Sequence, residues 1–272
     1  MSEKKRLDVL LVERGFAPSR EKARALIMAG DVVVDGERCD KAGMNICEDA
    51  EIRLKESAQM KYVSRGGLKL EKAMDLYALD LTGKICMDIG ASTGGFTDCM
   101  LQNGAQKVFA VDVGYGQLAW SLRTDERVVN MERTNIRHVT AEQIGCSLDF
   151  ASVDVSFISL TLVLPVLYSL LNENGTALLL VKPQFEAGKG KVGKKGVVRD
   201  IAVHREVCQK IYDFLHTLPM SLIGATFSPI KGPQGNIEYL FYIKKAAGED
   251  CLDAQALDEM VNSSHEILNE GR

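Results

Sequence analysis

The sequence predicts an α/β protein: a mostly parallel sheet with helices on both faces, preceded by a small α+β unit. Three observations predict it. Short apolar and β-branched runs at 85–89, 108–112, 128–131, 150–153 and 177–181 alternate with helical patterns, the mark of parallel strands joined by crossover helices. A glycine-rich turn, GASTGG, follows the first of these runs. Residues 6–55 break the pattern, with two helical stretches and then short strands around a tight turn.

In order along the chain, Leu7, Leu10 and Leu11 share one helical face. Pro18-Ser19 opens a second helix with Ser19 as N-cap, and Gly30 stops it. Val32-Val33-Val34 then runs as a strand into the tight turn Asp35-Gly36, and Ile52-Arg53-Leu54 is a closing strand. Such a module, spanning residues 1–59, is small to hold much stability alone. Residues 60–63 read as a linker, 64–246 as the large domain and 247–272 as an acidic C-terminal helix or tail. Late in the large domain, runs at 222–227 and 239–244 add two strands joined by a Pro/Gly-rich loop.

Composition narrows the function classes. Of 272 residues 46% are hydrophobic and 26% charged, as in an ordinary globular chain. No apolar run reaches the ~18 residues of a membrane span. The N-terminus, MSEKKRLDVLLVERG, lacks a long apolar core and a small-residue cleavage site, so no signal peptide is expected. Seven cysteines form no CxxC pair, which favours reduced thiols, a cytoplasmic location and no metal site. The net charge of −4 hides two basic stretches, 1–24 and 182–199, behind an acidic one at 246–272. Each basic stretch is either a nucleic-acid surface or ordinary solvated side chains.

Within MDIGASTGGFTDCML the glycines fall as Gly90-x-Ser92-x-Gly94-Gly95. Glycine lets backbone approach a ligand where a Cβ would clash. The spacing departs from GxGxxG, which disfavours a dinucleotide and hence a nicotinamide-dependent oxidoreductase. Asp112 ends the next strand, and an acid there accepts the two ribose hydroxyls of an adenosine. Asn135, after the third strand, either meets an adenine or is an incidental strand-end residue. Asp154 and Lys182 follow buried strands, at the carboxyl edge where open α/β sheets hold ligands. Lys69 lies on the helix before the first strand and Glu238 at the start of the last.

The stretch RLDVLLVERGFAPSREKARALIMAGDVVVDGE resembles the S-four-type (alpha-L) RNA-binding module. The glycine turn resembles the D/E-x-G-x-G-x-G motif of Rossmann-like class I methyltransferases, with Ser92 replacing the middle glycine. Lys69, Asp154, Lys182 and Glu238 match the Lys-Asp-Lys-Glu tetrad of FtsJ-type ribose 2′-O-methyltransferases. With SRGG at 64–67, DVSFISL at 154–160 and VKPQFE at 181–186, about 240 residues look like the TlyA/hemolysin A family and leave the acidic tail unmatched. Met60-Lys61-Tyr62-Val63 departs from a tryptophan-containing tetrapeptide common at that point, with Tyr62 as the substitute.

The resemblance implies an S-adenosyl-L-methionine-dependent enzyme that methylates a cytidine ribose of 23S and also 16S rRNA, with ribosomal RNA or ribosomal subunits as partner, no membrane, and a monomer favoured. It implies catalytic roles for Lys69, Asp154, Lys182 and Glu238, and cofactor contacts from Asp88, Gly90, Ser92, Thr93, Gly94, Gly95, Phe96, Asp112 and Asn135. RNA contacts fall to Lys5, Arg6, Arg20, Lys22, Arg24, Arg65, Lys189 and Lys191. A ribose hydroxyl is a weak nucleophile until it loses its proton, and a lysine takes that proton only as the neutral amine, which burial and neighbouring cations favour. Lys182 is the candidate base, Asp154 its holder, and Lys69 and Glu238 the orienting pair. The rival readings are a hemolysin-like membrane-active protein and a non-catalytic RNA-binding assembly factor.

Overall fold

The computed structural model describes residues 4–17, 19–55, 61–188 and 190–269. Pro18, Lys189 and the stretch 56–60 lie outside them, as do both chain ends. The chain forms two compact units, 1–61 and 62–272.

The first unit holds β1 (Lys4–Arg6), α1 (Leu7–Glu13), α2 (Arg20–Ala29), β2 (Val32–Val34), β3 (Glu37–Cys39), β4 (Asn45–Cys47) and β5 (Ile52–Leu54). Ser19 caps α2 by accepting the Lys22 amide, and Gly30 ends it at φ +72°. Asp35 and Gly36 both take positive φ, 51° and 84°, as the tight turn of a twisted hairpin demands. That hairpin pairs β2 with β3, while β5 lies on the other side of β2. Leu7, Leu10, Leu11, Ala23 and Ile27 from the helices meet Val32, Ile46 and Ile52 in one core.

The second unit runs α3 (Gly67–Tyr77), β6 (Ile85–Ile89), α4 (Gly95–Gln102), β7 (Lys107–Val111), α5 (Trp120–Arg123), β8 (Val128–Met131), α6 (Ala141–Ile144), β9 (Leu148–Val153), α7 (Leu164–Leu170), β10 (Leu171–Val181), α8 (Pro183–Glu186), α9 (Ile201–Leu215), β11 (Ser221–Phe227), β12 (Tyr239–Lys244) and α10 (Ala254–Asn269). Its seven strands lie in the order β11-β12-β10-β9-β6-β7-β8. Six point the same way, and β12 enters antiparallel to both its neighbours, β10 and β11. Alternate side chains go to opposite faces. Cys86, Val108, Phe150 and Leu178 pack under α3 and α4. Met87, Phe109, Ala151 and Leu179 pack against α7, α9 and α10. With both faces covered, the central strands read as nearly continuous apolar runs.

The order reverses between β6 and β9, so the chain leaves these neighbours in opposite lateral directions and opens a crevice at their carboxyl ends. The acidic C-terminal stretch is no separate appendage. Its helix α10 buries Leu257 and Val261 in the main core. Tyr62 and Val63, read as linker, also belong to this unit. Tyr62 is buried and donates to Glu71, and the Val63 amide donates to Asp98. Among the described residues no helix is long and apolar enough to cross a membrane.

One charge organises the first unit. The Asp8 carboxylate is buried and accepts from Arg6 (3.0 and 3.1 Å), Arg20 (3.1 Å) and Arg24 (3.0 Å). Arg20 and Arg24, four apart on α2, reach the same acid on α1. Arg6 above all, then Arg24 and Arg20, hold the Asp8 carboxyl well below the usual carboxylate range, against the opposing effect of burial. Because the unfolded chain binds this proton more readily, the stabilisation is complete above about pH 4 and is lost as pH falls further. We expect Asp8→Asn to lower the protection of the Leu10 and Leu11 amides against hydrogen exchange at neutral pH. It should also flatten the decline of that protection below pH ~4. Unchanged protection in the variant would remove Asp8 from this role.

Candidate active site

Four ionisable side chains meet at the carboxyl edge of the sheet. Glu238 Oε2 accepts from Lys69 Nζ at 2.7 Å, Lys69 lies 3.7 Å from Asp154 Oδ2, and Asp154 Oδ1 lies 2.5 Å from Lys182 Nζ. Lys182 also donates to the Ser156 hydroxyl at 3.1 Å. The signs alternate along this row, so each charge has an opposite neighbour. That is the condition under which charges tolerate removal from water. Lys69, Lys182 and Glu238 are buried, and Asp154 keeps an exposed edge.

The secondary structure delivers each of them. Asp154 and Lys182 directly follow the parallel strands β9 and β10. The β10–β12 register pairs Val181 with Tyr239, so Lys182 and Glu238 enter the rim side by side. Lys69 comes from the first turn of α3, whose start is pressed against α4. A Cβ on Gly95 would stand 2.9 Å from the Gly67 amide nitrogen and 3.2 Å from Gly66 Cα. The SRGG segment therefore reads as a close helix-to-helix contact that sets the depth of Lys69.

Beside the row opens a cavity of about 340 Å³, bordered by Gly90, Ser92, Asp112, Gln117, Asn135 and Asp154 among others. Such a volume suits a small-molecule ligand. Gly90, at φ +88°, is essential to its floor, for a Cβ there would lie 2.4 Å from the Asp154 carbonyl oxygen. Asp112 is pre-oriented, accepting the Ser92 and Gly114 amides at 2.7 Å each. Ser92 takes φ +49°, which explains why glycine suits that place. Asn135 borders the cavity, and its side-chain oxygen accepts the Arg137 amide.

The remaining motif residues surround the loop and do not border this cavity. Asp88 is wholly buried beneath the turn, where it accepts the Thr97 amide and hydroxyl (2.9 and 2.7 Å) and the Ser152 hydroxyl (3.0 Å). Burial pushes its carboxyl up to about 6, reinforced by Asp154 and opposed by the Thr97 and Ser152 hydrogen bonds. Gly94, at φ +96°, sits against Leu118 and Leu122, and the Thr93 carbonyl accepts the Ala119 amide. Phe96 is a core residue.

Sequence reading missed three side chains that shape the rim. Glu186 is buried and accepts the Leu160 amide, the Ser159 hydroxyl and Lys210, tying the loop after Asp154 to the turn after Lys182. Gln184 donates to Glu238 at 3.5 Å, while its own buried Oε1 has no partner among the described residues. Phe157 is 91% exposed with its ring 4.9 Å from that of Phe185. An aromatic inside DVSFISL was a visible signal; the roles of Glu186 and Gln184 carry none that spacing reveals.

The RNA candidates fall differently. In the first unit Arg6, Arg20 and Arg24 gather on Asp8, Lys5 pairs with Glu13 and Glu48, and Lys22 lies exposed on α2. In the second, Arg65 is exposed just before α3 and Lys191 pairs with Glu206 at 2.5 Å. Lys189 lies outside the described residues.

Residues 62–245 match the model of the FtsJ-like methyltransferases, and residues 5–52 match that of the S4 domain. YqxC of Bacillus subtilis (strain 168) is 50% identical over 274 residues, covering 99% of this chain and 97% of that protein. A 16S/23S rRNA (cytidine-2'-O)-methyltransferase, TlyA of Mycobacterium tuberculosis, is 41% identical over 271 residues, spanning 100% of both chains. A solved structure from Streptococcus thermophilus that carries the hemolysin name superposes with a TM-score of 0.76 at 44% identity, covering 99% of this chain and 98% of that one. These alignments include the acidic C-terminal stretch, which the motifs alone leave unmatched.

Gly90→Ala tests the cavity floor. The added methyl meets backbone, which cannot yield as a side chain can. We expect at least a tenfold loss of affinity for the ligand of this cavity, together with ~1–3 kcal/mol of stability. Gly145→Ala is the control, with φ +72° and nothing within 4 Å of the new Cβ. It should cost only the left-handed backbone strain, ~1–2 kcal/mol. Equal effects of the two on ligand affinity, read by calorimetry, would dismiss Gly90 as the floor.

Proposed function

The chain belongs to the FtsJ-like methyltransferase family, and on that premise we propose that it transfers the methyl group of S-adenosylmethionine to the 2′-hydroxyl of a cytidine ribose in 23S rRNA, and in 16S rRNA as well. One observation carries the proposal: the Glu238–Lys69–Asp154–Lys182 row borders the cavity that Gly90 and Asp112 shape, with Asp154 common to both. Asp112 would hold the ribose hydroxyls of the donor, Asn135 its adenine edge, and Gly90 the close backbone approach. When bound, S-adenosylmethionine supplies a methyl group already activated by its sulfonium.

What is left for the protein is alignment and a proton. Lys182 would take the proton of the attacking 2′-hydroxyl as its oxygen bonds to the methyl carbon, whose bond to sulfur breaks so that S-adenosylhomocysteine leaves. For this the Lys182 amine must meet the substrate uncharged. Asp154, 2.5 Å away, holds the nitrogen in place before and after it gains that proton. Lys69, fixed by Glu238 at 2.7 Å, presents a donor for the sugar oxygens. The partnerless Oε1 of Gln184 is an acceptor on the same rim.

The S4 unit supplies affinity. Arginines held in fixed array by Asp8 suit phosphate contacts, which give grip and register without sequence choice. The reading places the protein in the cytoplasm, with ribosomal RNA or ribosomal subunits as its partner.

Lys182→Ala should lower methyl transfer by about 10²–10⁴-fold, the usual worth of a positioned base, and leave S-adenosylmethionine affinity within a few-fold. Asp112→Ala should instead weaken donor binding by about 10–100-fold. The assay is tritiated methyl transfer to unmodified 16S and 23S rRNA or intact subunits, followed by mapping of the labelled sugar. Near-full turnover by Lys182→Ala, or label on a base rather than a ribose, defeats the proposal.

A further inference from the structure

Two tight loops meet beside the charged row, and one buried side chain fastens them together. The first, residues 193–197, is closed by the Gly193 amide on the Val197 carbonyl (3.1 Å) and the Gly196 amide on the Gly193 carbonyl (2.8 Å). It presents Lys194 and Lys195, both exposed. The second, residues 232–236, is closed by the Gly232 amide on the Asn236 carbonyl (2.9 Å) and the Gly235 amide on the Gly232 carbonyl (2.8 Å). A Cβ on Gly232 would stand 2.6 Å from Glu238 Oε1 and 3.2 Å from Glu238 Cδ. This loop therefore lies directly against the carboxylate that fixes Lys69.

The clasp is Asn236, which is 1% exposed. Its side-chain oxygen accepts the Val198 amide at 3.0 Å, and its side-chain nitrogen donates to the Gly196 carbonyl at 2.9 Å. One planar amide thus answers a donor and an acceptor two residues apart, which uses both ends of its hydrogen-bonding capacity. The same segment is held from a second direction. Val198 is buried, and its carbonyl accepts from His204 Nε2 at 3.0 Å. Buried backbone groups are costly to leave unpaired, so the base of the lysine turn has no cheap alternative position. Asn236 does not border the donor cavity.

We infer that Asn236 is a positioning residue for methyl transfer, registering the Lys194–Lys195 turn to Glu238 and through it to Lys69. The inference rests on the rRNA reading. Phosphate contacts fix the register of a nucleic acid, but that register serves the chemistry only if the cations are mounted at a set distance from the reacting groups. The two bonds of Asn236 are that mounting: one loop carries the lysines, the other backs the acid, and the amide joins them.

Steady-state methyl transfer to unmodified rRNA separates this role from a general contribution to stability. Asn236→Ala should lower kcat by about 10–100-fold, the scale of a misplacement of about 1 Å, and raise the KM for RNA, with S-adenosylmethionine affinity within a few-fold. Hydrogen exchange at the Val198 amide should quicken in the same variant. Gly232→Ala presses on Glu238 but leaves Asn236 on the 196–198 segment, so kcat should fall while the RNA KM and the Val198 protection stay as they were. Asn172→Ala is the stability control. Asn172 donates to Asp149 at 2.7 Å near the start of β10, the end away from the row. It should lower the melting temperature and leave both kinetic constants alone. Where Asn236→Ala folds poorly, Asn236→Asp, of equal size and still able to accept the Val198 amide, loses the Gly196 bond and should show the same paired change. An unchanged kcat, or an unchanged RNA KM, in a folded Asn236 variant overturns the inference. A parent chain that methylates no ribose defeats the rRNA reading and this role with it, and does so before any variant is compared.

Discussion

The approach of Gly90 to the Asp154 backbone is the constraint on which the rest of the second unit depends. Strands β6 and β9 are neighbours whose chains depart in opposite directions, and at their ends the backbone of one must nearly touch the other. The Asp154 amide donates to the Ile89 carbonyl at 2.8 Å, and the next position on β6 has no room for a side chain. That single contact sets both the floor of the ligand cavity and the position of the carboxylate linking it to the reactive row. A shift of either strand end would move cavity and row together.

Burying charges is expensive unless each has its partner, and here the partners come from distant parts of the chain. Lys69 and Glu238 are 169 residues apart in sequence yet 2.7 Å apart in space. Arrays of this kind contribute little net stability compared with an apolar core. On the proposed mechanism their value is positional, since they would hold an amine at a fixed place for a substrate oxygen. Asp88 does related work beneath the loop, but as an acceptor for hydroxyls and amides rather than for a cation. Its carboxyl, pushed up to about 6, marks the cost of that brace.

Much of this was legible in the residues. The β-strand runs at 85–89 and 239–244 stand where their apolar patterns put them, because largely buried strands leave continuous hydrophobic stretches, and the half-exposed edge strand at 128–131 stands where its valines put it. Ser19, Gly30 and Asp35-Gly36 announced their turns through local chemistry alone. Strands β1 and β4 were not visible: three residues each, one wholly basic and the other opening on an exposed asparagine, they are too short to show a face. The tetrad could be named but not measured, since its contacts depend on the β10–β12 register. Asp88 and Phe96 lie around the glycine turn without bordering the cavity. A motif fixes which residues surround a turn, not which of them point into the space it encloses. The tail misled because its acids occupy the outer face of α10, while Leu257 and Val261 hold the inner one.

The antiparallel entry of β12 has a temporal side. The cavity border is drawn wholly from residues 89–158, whereas the row beside it waits for residue 238. During vectorial synthesis, with folding proceeding from the N-terminal side, the ligand pocket is encoded long before its chemistry. A nascent chain lacking the last strand holds every residue of the pocket border but not the complete row, so on the proposed mechanism activity would wait until the final segments thread between β10 and β11.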